Sequence, residues 1–435
     1  MEWIDNVIFT VILALASFLF AKNANKIRRN IFLGKEINRS DRKGERWALM
    51  AKVALGQSKM VVRPVAGFFH ILIYVGFVLI NIEVLEILID GIFGTHRVFS
   101  SFLGGIYTLA INFFEILAVG VILACLVFLA RRVLVKIKRF HSPEMKGWAS
   151  SDAKNILYIE LALMYALLLM NAVESNFDSE TVGPFLISGL IAPLFNGLEQ
   201  SSLHILERTF WWLHILGILA FLNYLPFSKH FHIFLSFPNV WYANLDQKGR
   251  FSNMESVTEE VKKMMDPNAD PYAAPDPNAP PPERFGAKDV MDLNWVQLMN
   301  AYSCTECGRC TSECPANQTG KKLSPRKIMM DTRDRLDEVG KVIDKKGSFI
   351  DDGRSLLDDF ISREELWACT TCNACVQACP IGIDPLSIII EMRRYLVMEE
   401  SAAPQELNLM MANVENNAAP WQFAQADRLN WLEEA

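Results

Sequence analysis

The sequence predicts a mainly α protein: a five-helix transmembrane bundle followed by a smaller, soluble helical domain. Three observations predict it. The first ~240 residues carry five apolar runs, each close to the roughly 20 residues that cross a hydrocarbon core as helix. Eight of the nine cysteines fall in two tight groups beyond residue 300. Between these halves lies a stretch rich in proline, Asp266-Pro-Asn-Ala-Asp-Pro-Tyr through Pro280-Pro281-Pro282. Overall averages of 51% apolar and 21% charged residues conceal this division.

The candidate spans are about 5–22, 63–89, 104–130, 155–173 and 208–228. Helices are expected because a segment in lipid must satisfy its own backbone polar groups. The first run, Val7–Ala21, lacks a basic start and a small-residue cleavage site, so it reads as a retained span. Thr181–Asn196 is apolar but holds Pro184, Gly189 and Pro193, and reads as a surface or re-entrant segment. The loop after span 1 is crowded with basic residues from Lys22 to Lys59. The loop after span 3 carries Arg131, Arg132, Lys136, Lys138 and Arg139. The loop after span 4 is acidic, with Glu174, Asp178 and Glu180. The positive-inside rule then places the N-terminus outside and the C-terminal half in the cytoplasm.

The organisation expected is a membrane domain over 1–245, a linker over 246–286, a soluble domain over 287–397 and a tail over 398–435. Proline makes the linker a semi-rigid spacer. Helical patterning marks 290–302, 325–339 and 384–397. The tail holds Trp421 and Trp431 and reads as a partner-docking segment. The net charge of −6 argues neither for nor against a nucleic-acid partner, and no basic stripe with interleaved aromatics occurs to mark one.

The cysteines carry the chemistry. Cys304-x2-Cys307-x2-Cys310-x3-Cys314-Pro315 recurs as Cys369-x2-Cys372-x2-Cys375-x3-Cys379-Pro380. Three thiolates at this spacing wrap three corners of a cubane, and the fourth crosses to the other cluster. Cluster A is therefore expected on Cys304, Cys307, Cys310 and Cys379. Cluster B is expected on Cys369, Cys372, Cys375 and Cys314. The rival, a pair of zinc sites, calls for separated C-x2-C pairs, which these runs are not. The soluble part is thus an α-helical, ferredoxin-like dicluster domain with two [4Fe–4S] clusters. Reduced, metal-binding thiols agree with a cytoplasmic placement. Cys125 stands alone in an apolar run and reads as a small buried residue.

Three histidines lie where an intramembrane cofactor could use them. His70 is near the start of span 2, His214 is in span 5, and His232 follows in Pro226-Phe-Ser-Lys-His230-Phe-His232. On one unbroken helix His214 and His232 would share a face, about 27 Å apart, unless Pro226 breaks it. Depth pairs His70 with His232. Spacing alone leaves bis-histidine haem and satisfied core or interfacial histidines both open. His96 and His204 read as surface residues on the outer side. Glu83, Glu86, Glu115 and Glu160 fall in or near spans, as residues of a proton or quinone path or as structural acids.

Segment 208–245, with Trp-Leu-His214 and Leu-Pro-Phe-Ser-Lys-His-Phe-His232, resembles the last helix of the cytochrome b subunit of respiratory nitrate reductase. So does Gly67-Phe-Phe-His70. The resemblance implies a b-type haem on His70 and His232 near the cytoplasmic face. His214 matches a ligand of a second, outer haem, but Ile80 stands where its partner is expected, so His214 is left to a second haem or a quinone site. The cysteine domain, with Cys-Thr-Glu-Cys-Gly-Arg-Cys and Leu-Trp-Ala-Cys-Thr-Thr-Cys-Asn-Ala-Cys, resembles the dicluster subunit of heterodisulfide reductase. The fusion is similar to membrane iron–sulfur oxidoreductases that link electron-transferring flavoprotein to menaquinone in the bacterial cytoplasmic membrane. Members of that group carry a further cysteine-rich domain with paired Cys-Cys motifs. None occurs here, so a separate cysteine-rich subunit is the expected partner. The resemblance implies an oxidoreductase subunit, active only with partners, passing electrons from that subunit or the flavoprotein to menaquinone. Two other readings remain at this point: flow from quinol to a disulfide, and a membrane-anchored redox sensor or assembly protein.

Overall fold

The computed structural model describes residues 2–177, 184–268 and 284–433. Most of the proline-rich stretch, with Asp178 and Glu180 of the acidic loop, lies outside the described residues. Among the described residues the regular elements are helices.

Five helices are long and apolar enough to cross a membrane: α1 (Glu2–Ile31), α2 (Pro64–Phe93), α3 (Gly105–Val133), α4 (Trp148–Glu174) and α5 (Gln200–Tyr224). Their outer faces stay apolar and exposed, as with Leu15, Phe18, Phe77, Leu109 and Leu123, which is the surface that lipid requires. The short turns Ser188–Ile191 and Ala192–Phe195 do not form a sixth span.

The first helix is longer than its apolar run. Its 30 residues reach about 45 Å, well beyond the hydrocarbon core. Lys26, Arg28 and Arg29, expected in a loop, ride its last turns instead. Those turns carry the soluble half. Lys26 and Arg29 pair with Asp344 at 2.7 and 2.5 Å. Asn30 donates to the Tyr302 hydroxyl at 2.9 Å.

Near the far end of the bundle, away from the cysteines, a buried charge network joins the helices. Arg97 donates to Glu83 at 2.9 Å, Glu174 at 2.6 Å and Asn171 at 2.8 Å. Tyr107 donates to Glu86 at 2.7 Å. Glu115 accepts from the Ile187 and Ser188 amides at 2.8 and 3.2 Å. Three of the four span glutamates thus bind helices together. The network borders a cavity of about 270 Å³ that also meets Phe9, Trp211 and Trp212.

After α5 the chain breaks in two 3-10 turns, Leu225–Phe227 and Lys229–Phe231, and restarts as α6 (His232–Trp241). Pro226 cannot donate to the helix ladder, and its ring clashes with the preceding turn. His214 and His232 therefore do not share one straight helix face.

The soluble half contains α7 (Trp295–Ser303), α8 (Arg309–Ser312), α9 (Pro325–Lys346), α10 (Ala374–Ala378) and α11 (Pro385–Met398). Asn294, Ser324 and Asp384 cap α7, α9 and α11. This half does not hang free below the bundle. Ile27, Ile156, Phe221 and Phe231 share one apolar core with Leu293, Leu298, Met299 and Leu336. The Lys35 amide donates to the Leu293 carbonyl at 2.8 Å, and the Trp295 amide returns to Lys35 at 3.1 Å. Buried Arg326 reaches back to Glu144, between α3 and α4, at 2.7 Å.

These contacts set two expectations for stability. Arg97→Ala strands buried carboxylates and should cost about 3–5 kcal/mol, seen as a lower unfolding temperature in detergent. Replacing exposed Phe102 with Ala is the control and should stay within about 0.5 kcal/mol. At Glu144 burial pulls the carboxyl up, but the hydrogen bond and charge of Arg326 hold it below its ordinary 4.5. A depressed carboxyl contributes stability above the ordinary value and loses it as pH falls. Glu144→Gln should therefore unfold at a lower temperature at pH 7, with the gap to the native chain closing below pH 4.5.

Candidate metal centre

The two cysteine runs adopt the same backbone. Glu306 and Thr371 sit at φ 55° and 56°, Gly308 and Asn373 at 71° and 61°. These left-handed positions curl each loop around its sulfurs. The Thr371 amide points at Cys369 Sγ, 3.4 Å away. Gly308 packs closely: a Cβ there would come within 2.5 Å of the Arg326 guanidinium.

Helices α8 and α10, one from each run, pack together and bring the loops side by side. Cys304, Cys307, Cys310 and Cys379 line one small cavity, closed by Met329, Ile381 and Ile383. Cys314 is not in its wall. It lies instead among Cys369, Cys372 and Cys375: Cys369 feels the charge of Cys314 and Cys372, and Cys375 that of Cys369 and Cys314. Among the described residues no three His, Cys, Asp or Glu side chains lie close enough to share a single metal ion. A cubane is a larger body and spaces its ligands more widely.

The two groups differ in surroundings. Cys304 is buried in the first, whereas Cys372 is exposed in the second. Burial pushes Cys304 and Cys375 up to about 12 and Cys379 up to about 11. Thiolates at such positions need a cationic partner, which an iron core supplies. The donor set and its burial fit iron–sulfur clusters. The Cys304 group also faces the membrane half. Glu306 bonds to Lys229, just beyond α5, and accepts from Arg333 at 2.7 Å. Lys59 donates to the Cys379 carbonyl at 3.0 Å, and Arg63 reaches Ser312 and Glu313.

The same end of the bundle gathers three half-buried histidines. His70 lies in the second turn of α2 and is electrostatically coupled to His232 and Arg309. His230 and His232 have ring centroids 5.5 Å apart. Burial, with His232 and His70 nearby, pushes His230 down to about 3, so the ring is neutral. The His232 Nδ1 bonds to the Lys229 carbonyl at 3.1 Å, which leaves Nε2 for a ligand. The His70 Nδ1 is buried with no hydrogen-bond partner. These are features of imidazoles that a haem would satisfy.

Sequence reasoning did not name His230 among the candidate ligands. It lies beside Phe221, with Glu160 3.6 Å away, and Glu160 meets Cys125 at 3.8 Å. Nothing in Lys-His-Phe-His separates the roles of its two histidines. His214 stands apart, its Nδ1 on the Leu163 carbonyl at 3.0 Å and its Nε2 buried without a partner. Ile80 is packed into an apolar cluster with Ile215 and Trp211. His96 is half exposed beside Glu174, and His204 stacks near Phe177.

Residues 303–383 match the 4Fe-4S dicluster domain. The chain carries two iron–sulfur cluster sites. It is 28% identical to the probable iron-sulfur-binding oxidoreductase FadF of Bacillus subtilis (strain 168), over 98% of this chain and 61% of that protein. It is 26% identical to the EtfAB:quinone oxidoreductase of Syntrophomonas wolfei subsp. wolfei, over 100% of this chain and 60% of that protein. Over 33% of this chain and 36% of the relative, it is 29% identical to a component of the dihydromethanophenazine:CoB–CoM heterodisulfide reductase of Methanosarcina mazei. The chain spans about 60% of the length of the first two relatives. No solved structure matches it. The dicluster domain fits an electron-transfer role, and the two relatives that match along the chain are named as oxidoreductases.

Proposed function

We propose that the chain is the membrane subunit of a quinone-linked oxidoreductase in the bacterial cytoplasmic membrane. It passes electrons from a cytoplasmic redox partner, through two [4Fe–4S] clusters and one b-type haem, to menaquinone. The partner is a cysteine-rich subunit with paired Cys-Cys motifs or an electron-transferring flavoprotein. One observation carries the reading. Arg63, just before the helix of His70, donates to Ser312 and Glu313 in the first cysteine run, and Lys229, three residues before His232, bonds to Glu306. The cluster site and the histidine pair are therefore neighbours across the domain contact.

In this reading Cys304, Cys307, Cys310 and Cys379 hold cluster A, and Cys369, Cys372, Cys375 and Cys314 hold cluster B. His70 and His232 hold the haem. Bound there, these groups supply one-electron carriers. The protein's own part is placement and exclusion of water. Exposed Cys372 marks the partner side, and the buried Cys304 loop marks the membrane side. Lysines and arginines at the cysteine end of the bundle support a cytoplasmic orientation. The helix Gln405–Asn417 exposes Leu409, Met410, Met411 and Val414, with Trp421 and Trp431 beyond it, and this apolar tail supports partner docking. Ile80 in its packed cluster supports a single haem, with His214 left for a quinone site.

Two experiments test the assignments. Purified protein should show a reduced α-band of b-type haem, lost in His70→Ala and in His232→Ala. An unchanged band in both variants would refute the pair. For the clusters, Cys304→Ser and Cys379→Ser should abolish the same electron paramagnetic resonance signal, and Cys314→Ser the other. Loss of one signal from both Cys304→Ser and Cys314→Ser would mean uncrossed ligation.

A further inference from the structure

The two cysteine sites sit in different electrostatic settings. Four cations face the Cys304 site. Lys59 holds the Cys379 carbonyl at 3.0 Å, and Arg309 follows Gly308 within the loop itself. The Arg139 Cβ packs 3.3 Å from where a Cβ on Gly308 would stand, and Arg132 feels the charge of Glu306 and Asp152 before that of Cys307. None of the four has a carboxylate ion-pair partner among the described residues. Arg132 and Arg139 lie over the Phe140 ring instead, at 4.3 and 4.8 Å. Glu306, the acid of this loop, is already matched by Lys229 and Arg333. The Cys369 site is balanced by comparison. Arg393 donates to the Cys369 carbonyl at 2.6 Å, and the Asp384 carboxylate, itself under the charge of Arg39, acts on Cys375 with the opposite sign.

A four-thiolate cubane gains one negative charge on reduction. Nearby cations stabilise that reduced form and raise its potential. Burial works the other way, because a low dielectric penalises the more charged state. The same low dielectric amplifies charge without a close counter-ion, and Lys59, Arg139 and Arg309 at the Cys304 site decide the sign.

We propose that Lys59, Arg132, Arg139 and Arg309 form a cationic collar that sets the Cys304 site at a higher reduction potential than the Cys369 site, so that electrons run toward the membrane. The inference rests on the two-cluster reading above. The step moves one electron: the site on Cys369, Cys372, Cys375 and Cys314 is oxidised, and the site on Cys304, Cys307, Cys310 and Cys379 is reduced. No bond or proton changes place.

The test is a redox titration of the purified full-length chain, following both cluster signals by electron paramagnetic resonance. The Cys314→Ser and Cys304→Ser proteins identify which signal is which. In the native chain the Cys304-dependent signal should appear first as the potential is lowered. Lys59→Gln combined with Arg139→Gln should shift that signal alone to lower potential and narrow the gap. The charge-preserving pair Lys59→Arg and Arg139→Lys should leave it in place. Asp384→Asn, which keeps a helix cap, should raise the other signal. Two clusters titrating together, or the Cys369 site reducing first, would overturn the inference. So would a charge-removing pair that moves neither signal or both equally. Native protein without iron and without either signal would instead overturn the two-cluster reading itself.

Discussion

Glu306 is pinned between Lys229, just past the fifth spanning helix, and Arg333 in the middle of α9. All three are largely buried, and a buried carboxylate is tolerable only when matched. One side chain thereby ties a cysteine loop to two elements from opposite halves of the molecule. Lys229 in turn reaches the Ala149 carbonyl at 2.7 Å, at the start of α4. Asp152, one turn on, accepts from Tyr224, Ser228 and the Lys229 amide. The break in helix α5, the entry of α4 and the first cysteine loop are thus held in one register. The position of His232 depends on that register, since it begins the helix that follows the break.

A second charge network does comparable work at the far end of the bundle, with a different purpose. Arg97 and its carboxylates join the end of α2, the middle of α3 and the end of α4. Within lipid the apolar effect does not drive helices together, so interhelical polar contacts carry more of the specificity. Four carboxylates around a single guanidinium are an expensive way to achieve it. The amide groups of Phe99, Ile187 and Ser188 offset part of that cost by donating to Glu86 and Glu115. The network reads as a brace for helix ends, while Glu160, outside it and beside His230, is the one span glutamate facing the histidine cluster.

Much of this was readable from the residues. Apolar runs of bilayer length predicted five spans, and repeated cysteine spacing predicted two curled loops. Both are local properties: a helix needs only its own composition to be placed in lipid, and a C-x2-C-x2-C loop its own backbone. The misreadings were relational. The basic residues after the first apolar run looked like loop because hydropathy stops at Ala21, yet the helix continues and directs those cations at Asp344. The soluble half looked tethered because proline marks a spacer, yet Leu293, Leu298 and Leu336 complete a core begun by Ile27 and Phe231. No periodicity encodes such pairings. Lys59, Arg132 and Arg139 were counted as topogenic charge, and their position over a cysteine loop has no one-dimensional signature.

Those basic residues show how one set of charges can meet two demands. The positive-inside rule asks only that lysine and arginine flank the spans on one side. Placed there, they border whatever the bundle carries on that face, and here it is a cysteine loop whose Cys304 is buried. A site of anionic sulfur against a low-dielectric bundle is costly without countercharge. Lys59, Arg132 and Arg139 supply it with no change in composition, because topology already demanded them. The Cys369 site, with Cys372 exposed, relies on Arg393 and on solvent, and Arg39 of the basic loop acts there on Asp384. The electrostatic difference between the two loops thus follows from which of them lies against the membrane half.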